Sequence, residues 1–197
     1  MIGVFGGSFN PIHIGHLIIA EYVRDHFHLE KVLFVPAKNP PHKDSVDDHT
    51  SQHRYNMVQI AIKGNPFFDV SSIELNRNGL SYTSDTLREL KASYPDKKLY
   101  FICGADSIVN LNTWHSIGSI FVYADMLVVN RADVNETDVK NMSRWLTDQY
   151  NASIHFCDMP NIEISSTMIR KRIKDGLSIR YMVPEGVEQY IQLHRLY

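Results

Sequence analysis

Only two of the 197 residues are cysteine, Cys103 and Cys157, and they do not stand at a metal-ligand spacing. That excludes a disulfide framework and a cysteine-based zinc site, and predicts two small core residues in a reducing compartment. An excess of one charge is also missing. Twenty basic residues against 22 acidic ones leave a net charge of −2, which argues against broad nucleic-acid binding or attachment to a polyanionic membrane. No apolar run is long enough to span a bilayer. Met1 leads straight into an apolar strand with no basic or signal-type segment before it, so the expectation is a cytoplasmic chain. A phosphate-bearing ligand must then be met by a few local positive groups. What is present is an apolar fraction of 44%, enough for a real core in one α/β domain of this length.

Short continuous apolar strands alternate with amphipathic helices. Strands are expected at Ile2–Phe5, Lys31–Pro36, Phe67–Ile73, Leu99–Cys103, Met126–Asn130 and Ser153–Cys157. Helices are expected over about Gly15–His28, over Ser51–Lys63 with Tyr55, Val58 and Ile62 one turn apart, over Ser84–Tyr94, and along the stripe of Val139, Met142, Leu146 and Tyr150. The alternation predicts an α/β fold with a Rossmann-like parallel sheet, helices on both faces and ligands at the carboxyl ends of the strands. From residue 164 the character changes. A hydroxyl-rich helix start, a stop at Gly176 and a last helix opened near Pro184 divide the chain into a sheet domain over 1–163 and a helical subdomain over 164–197 against the sheet edge. Exposed apolar surface on that tail would be the place for a homo-oligomer contact.

The first strand breaks at Gly6-Gly7-Ser8, and His13 and His16 follow at the start of a helix. Glycine lets backbone amides approach an anion, and a helix N-terminus adds unpaired N–H groups and partial positive charge. Two imidazoles at i, i+3 share a helix face. Either histidine alone reads as a core or surface ring; the pair behind a glycine turn reads as a nucleotide phosphate site. The late run Ser165-Ser166-Thr167 with Arg170 a turn away gathers hydroxyls, amides and a forked cation, although Ser165 alone is an ordinary N-cap. His42 and Lys43, in a polar loop that would overhang the site, are candidates for a substrate phosphate. Lys38 in the same loop reads equally as an exposed residue. Thr83 is expected to cap the next helix, whose free amides favour an anionic group. Taken alone, Trp114 fits a core aromatic equally well, and Asp106 a helix cap.

Gly7-Ser8-Phe9-Asn10-Pro11-Ile12-His13-Ile14-Gly15-His16 resembles the G-[ST]-F-[DN]-P-x-H-x-G-H signature of the nucleotidyltransferase superfamily. Ile164-Ser165-Ser166-Thr167-Met168-Ile169-Arg170 resembles its late I-S-[ST]-T-x-I-R motif. With Ser81-Tyr82-Thr83-Ser84-Asp85-Thr86-Leu87, Gly104-Ala105-Asp106 and Leu111-Asn112-Thr113-Trp114, nearly the whole chain is similar to the bacterial nicotinate mononucleotide adenylyltransferases. The resemblance implies transfer of AMP from ATP to nicotinate mononucleotide, giving deamido-NAD and pyrophosphate in NAD biosynthesis. It implies an ATP site from Gly6, Gly7, Ser8, Phe9, His13, His16, Gly104, Asp106, Ile164, Ser165, Ser166, Thr167 and Arg170, with His13, His16 and Arg170 as the catalytic set. The acceptor would meet Ser8, His42, Lys43, Tyr82, Thr83 and Trp114, the tryptophan stacking on the pyridine and Asp106 lying near the adenosine ribose. Asn10 stands where Asp is commoner, and a neutral amide there argues against an essential metal ligand at that side chain. Magnesium would travel with ATP, and no protein cage for a metal is expected.

Rival activities separate on motifs. A phosphopantetheine adenylyltransferase lacks the Ser-Tyr-Thr-Ser-Asp-Thr-Leu loop, and a cytidylyltransferase carries an Arg-Thr-x-Gly-Ile-Ser version of the late motif. A class I aminoacyl-tRNA synthetase needs an RNA-binding module for which 197 residues leave no room. An enzyme for nicotinamide mononucleotide is the nearest competitor, and a non-catalytic nucleotide sensor of the same fold is the alternative from a different class.

Overall fold

A computed structural model describes residues 1–41, 48–129 and 135–197. Six parallel strands form one sheet in the order β3-β2-β1-β4-β5-β6: β1 (Ile2–Gly7), β2 (Lys31–Pro36), β3 (Phe68–Val70), β4 (Leu99–Gly104), β5 (Ala124–Val129) and β6 (Ile154–Cys157). Chain order reverses between β1 and β4, which pair in register from Ile2↔Leu99 to Phe5↔Ile102. Such a reversal opens a crevice at the carboxyl ends of those two strands.

Each strand feeds both faces because alternate side chains point opposite ways. One face carries Phe5, Val32, Phe34, Tyr100, Ile102, Leu127 and Val129. Against it lie α1 (Ile14–His26), α2 (Asp48–Ile62), α7 (Ser166–Lys174) and α8 (Glu185–His194), through Ala20, Val23, Met57, Val58, Ile169, Val187 and Ile191. The other face carries Val4, Leu33, Val35, Phe101, Cys103, Met126 and Val128. It is covered by α3 (Thr83–Ser93), α4 (Ala105–Val109), α5 (Ile117–Tyr123) and α6 (Glu136–Tyr150). Full burial of such a side chain contributes about 1.5–3 kcal/mol, so the two cores are what hold the helices on both faces of the sheet. The segment after residue 164 packs over the α1/α2 face, sharing its core, and not at a sheet edge.

Several boundaries differ from expectation. The strand expected over Phe67–Ile73 shortens to three residues, because β2 offers partners only from Val32↔Phe68 to Phe34↔Val70 and the chain then turns away. The short helices α4 and α5 and the 3-10 turn Leu111–Thr113 were not foreseen; none is long enough to show a helical period. Cys103 and Cys157 are free and buried in strands, as expected. Burial pushes the Cys103 thiol up to about 12. No helix among the described residues is long and apolar enough to cross a membrane.

Candidate active site

The turn after β1 is built tightly. A Cβ on Gly7 would stand 3.0–3.3 Å from the Phe9 ring, so only glycine lets that ring fold back beneath the strand end. Phe9 itself is left-handed, with φ 45°, a conformation that costs a non-glycine residue about 1–2 kcal/mol. Burial offsets the cost: the ring is 2% exposed and meets Phe5 edge-on at 5.7 Å and His16 at 5.1 Å.

The carbonyls of the turn are then held from outside. Arg54 of α2 donates to the Ser8 carbonyl at 2.7 Å and to the Lys38 carbonyl at 3.3 Å. Arg170 of α7 donates to the Asn10 carbonyl at 2.8 Å, Ser166 donates to the Pro11 carbonyl at 2.9 Å, and the Tyr197 hydroxyl donates to Asn10 Oδ1. Two motifs more than 150 residues apart in sequence are thereby in direct contact. The Ile14 amide adds a bond to the Met182 carbonyl at 2.9 Å, tying the start of α1 to the tail.

His13 is the N-cap of α1 and is 6% exposed. Its ring stacks on His16 with centroids 3.6 Å apart and planes 27° from parallel. The His13 backbone N–H points to His16 Nδ1 at 3.2 Å. Accepting that bond leaves neutral His16 protonated at Nε2, a donor on the opposite side of the ring. Gly15 makes the stack possible, since a Cβ there would lie 3.1 Å from His13 Nδ1 and 3.3 Å from Ile162.

In the late motif, Ser165 caps α7, its hydroxyl accepting from the Met168 amide at 3.2 Å. Ser166 is bonded to Pro11, while Thr167 is exposed and accepts from Arg170 at 3.4 Å. Ile164 packs against the core beside it. Gly104 ends β4, the strand beside β1, as the N-cap of α4, and Asp106 is exposed in the first turn of that helix.

A pocket opens beside the Gly6-Gly7-Ser8 turn, and its walls include Tyr82, Thr83, Trp114 and Glu74. Trp114 is half-buried at the pocket wall, edge-on to Phe101 at 6.0 Å, and Tyr82 stacks on His115 at 4.2 Å. Tyr82, not Thr83, is the N-cap of α3. The Thr86 amide bonds the Tyr82 carbonyl at 3.1 Å, which makes Thr83 the first helical residue and leaves its amide among those with no intrahelical acceptor. His42 and Lys43 lie outside the described residues. Among the described residues no three His, Cys, Asp or Glu side chains cluster as a metal-ligand set.

Arg54, which holds the turn, and Glu74 and His115, which line the pocket, were not singled out from the sequence. For Arg54 a signal existed, because it lies four residues before Val58 and eight before Ile62 on the buried stripe of α2. For Glu74 and His115 no local pattern marks the position. Burial lowers the affinity of Arg54 for its proton and raises that of Glu74.

The cytidylyltransferase-like family model matches residues 4–172. A relative from Clostridium perfringens, described as a probable nicotinate-nucleotide adenylyltransferase, is 42% identical over 196 residues, covering 100% of this chain and 97% of its own. One from Thermoanaerobacter, described in the same words, is 43% identical over 197 residues, covering 100% and 93%. Among solved structures, the fold matches a Plasmodium falciparum nicotinic acid mononucleotide adenylyltransferase complexed with NaAD, with a TM-score of 0.79 at 20% identity over 100% of this chain and 96% of that one.

Proposed function

The chain belongs to the cytidylyltransferase-like family, and on that premise we propose that it transfers AMP from ATP to nicotinate mononucleotide, releasing pyrophosphate and forming deamido-NAD. The observation that carries this reading is the stacked His13–His16 pair standing beside the glycine turn, next to a pocket that reaches the N-terminus of α3.

The acceptor phosphate is already an anion, so it attacks the α-phosphorus of ATP in line without a general base. Positioning and charge stabilisation supply the rate. His16 donates from Nε2 to the oxygen that bridges the α- and β-phosphates as charge builds there, and His13 fixes its ring. Thr167, Arg170 and the Ser166 backbone amide hold the departing pyrophosphate. Gly6, Gly7, Ser8 and Phe9 shape the floor under the phosphates. Ile164 and Ser165 set the start of α7, and Gly104 and Asp106 border the adenosine. The nicotinate carboxylate sits on the first amides of α3 at Thr83, with its ring against Trp114 and Tyr82, while His42 and Lys43 take the mononucleotide phosphate. Residues 164–197 complete the ATP site over the 1–163 sheet domain. Magnesium arrives bound to ATP as part of the substrate. A cytoplasmic location belongs to the same reading, supported by two free, buried thiols.

Pyrophosphate release from ATP and magnesium tests this, with nicotinate mononucleotide, nicotinamide mononucleotide and phosphopantetheine as acceptors. Turnover of the nicotinate substrate is expected, falling about 10²–10³-fold in His16→Ala, the usual loss for one transition-state donor. Equal or better turnover of another acceptor refutes the substrate. ATP binding with no turnover of any acceptor makes the chain a sensor.

A further inference from the structure

Glu74 is 6% exposed and forms part of the pocket wall that holds Ser81, Tyr82, Thr83 and Thr86. Its Oε1 accepts from Thr86 Oγ1 at 2.6 Å, and Ser81, on the same pocket wall, pulls its pKa down. Ser81 Oγ in turn accepts from the Lys38 and Asn39 amides, each at 3.2 Å. The carboxyl is thus tied to α3 through Thr86, beside the Ser81 contact with the loop after β2. Its Oε2, also buried, has no hydrogen-bond partner among the described residues.

A buried carboxylate oxygen with no donor is costly, whereas a carboxyl oxygen that carries a proton is far less so. The charges that face it do not amount to a neutralising pair. Arg54 of α2 reaches it only through space and is committed to two carbonyls. Arg77, on the same loop as Glu74, is shared with Glu89 of α3 at 2.9 Å and with Thr86 at 3.0 Å. From the loop after β2, Lys38 sends its ammonium to the Arg77 carbonyl at 3.4 Å. Asp85 of α3 is engaged with Arg88 at 2.9 Å, and His115 lies at the pocket wall against Tyr82. Burial is the largest influence on Glu74 and raises its pKa, against the pull of Thr86, Ser81, Arg77 and Arg54.

We propose that Glu74 determines the pocket's preference for an acidic over an amide pyridine by keeping its proton: the neutral carboxyl admits an anionic ring substituent to the start of α3, and the ionised carboxylate repels it. The proposal rests on the nicotinate reading of this pocket. Its consequence is linkage. At a pH where free Glu74 is ionised, binding of the nicotinate substrate takes up one proton onto Glu74, and binding of the nicotinamide substrate does not.

The test compares kcat/KM for nicotinate and nicotinamide mononucleotides from about pH 6 to 9.5 in the wild type and in Glu74→Gln. Both acceptors carry the same phosphate, so its titration cancels in the ratio. The wild-type ratio is expected to fall about tenfold with rising pH, through the KM of the nicotinate substrate and not through kcat, a change equal to one pKa unit of repulsion. Glu74→Gln should keep the low-pH ratio throughout. A flat wild-type ratio overturns the proposal, and so does an equal fall in Glu74→Gln, which places the titrating group elsewhere. Should the variant not fold, calorimetry of the wild type in two buffers of different ionisation enthalpy decides. Greater proton uptake with the nicotinate substrate supports the proposal, and equal uptake with both overturns it. Absence of any turnover with the nicotinate substrate, by contrast, removes the functional reading itself, and this proposal with it.

Discussion

Gly15→Ala separates the catalytic geometry from the stability of the fold. Gly15 is the second residue of α1, between the two histidines. Replacing a helical glycine by alanine normally gains up to about 1 kcal/mol, but the new methyl would stand 3.1 Å from His13 Nδ1, 3.2 Å from His13 Cε1 and 3.3 Å from Ile162 Cγ2. The neighbour has to yield by a few tenths of an ångström. His13 is poorly placed to do so, being 6% exposed and stacked on His16 at 3.6 Å. Overpacking of this kind costs about 1–3 kcal/mol, so the net change in stability is a loss of about 0–3 kcal/mol. The displacement falls on the stack that aims His16. A 1 Å error in a catalytic group costs about 10²-fold, so a shift of a few tenths should cost about three- to tenfold in kcat. The assay is pyrophosphate release at saturating ATP and acceptor, beside a denaturant unfolding curve. A variant that keeps kcat within about twofold of wild type, at unchanged stability, refutes the claim that Gly15 is there to seat the His13 ring.

Arg54→Met should keep the volume of the side chain while removing both bonds to the turn. The Ser8 and Lys38 carbonyls lose their buried donor, at about 1–3 kcal/mol each, partly offset because a cation no longer needs desolvation. Lower unfolding free energy together with a several-fold higher KM for ATP or acceptor is expected, and a fully stable, fully active variant refutes the role. Asp125, at the opposite end of the sheet, bonds Lys98 at 2.7 Å and His155 at 3.0 Å. Burial pushes its carboxyl up, but Lys98, His155 and Ser153 together outweigh this and hold it below the usual value. Its stabilisation is therefore complete above the unfolded-state value and lost as pH falls through the lowered one. Unfolding free energies of wild type and Asp125→Asn should differ at neutral pH and converge in acid; a difference that is independent of pH rules this out.

Much of the architecture was legible because it depends on neighbours in sequence. The apolar runs of β1, β2 and β4 and the stripes of α3 and α6 carry their own period, and Ser165 announced itself as a cap. The Gly7–His16 and Ile164–Arg170 motifs are local as well. Each is a turn followed by a helix start, and residue types dictate what such a backbone can do. Where the signal was only a few residues long, as in β3, α4 and α5, the local pattern was too short to set a boundary, and pairing with β2 decided where β3 ends.

The amino-acid sequence by itself therefore determined the alternating α/β order, the glycine turn, the paired histidines and the hydroxyl-capped late helix, since each is settled by backbone sterics and periodicity within a dozen residues. Tertiary structure alone decided which polar groups lose water. Arg54 reaches Ser8 across 46 residues, Arg170 reaches Asn10 across 160, and Glu74 enters the pocket wall only because α3 and the loop after β2 close over it. Desolvation is a property of everything packed around a charge, and no window of sequence contains it.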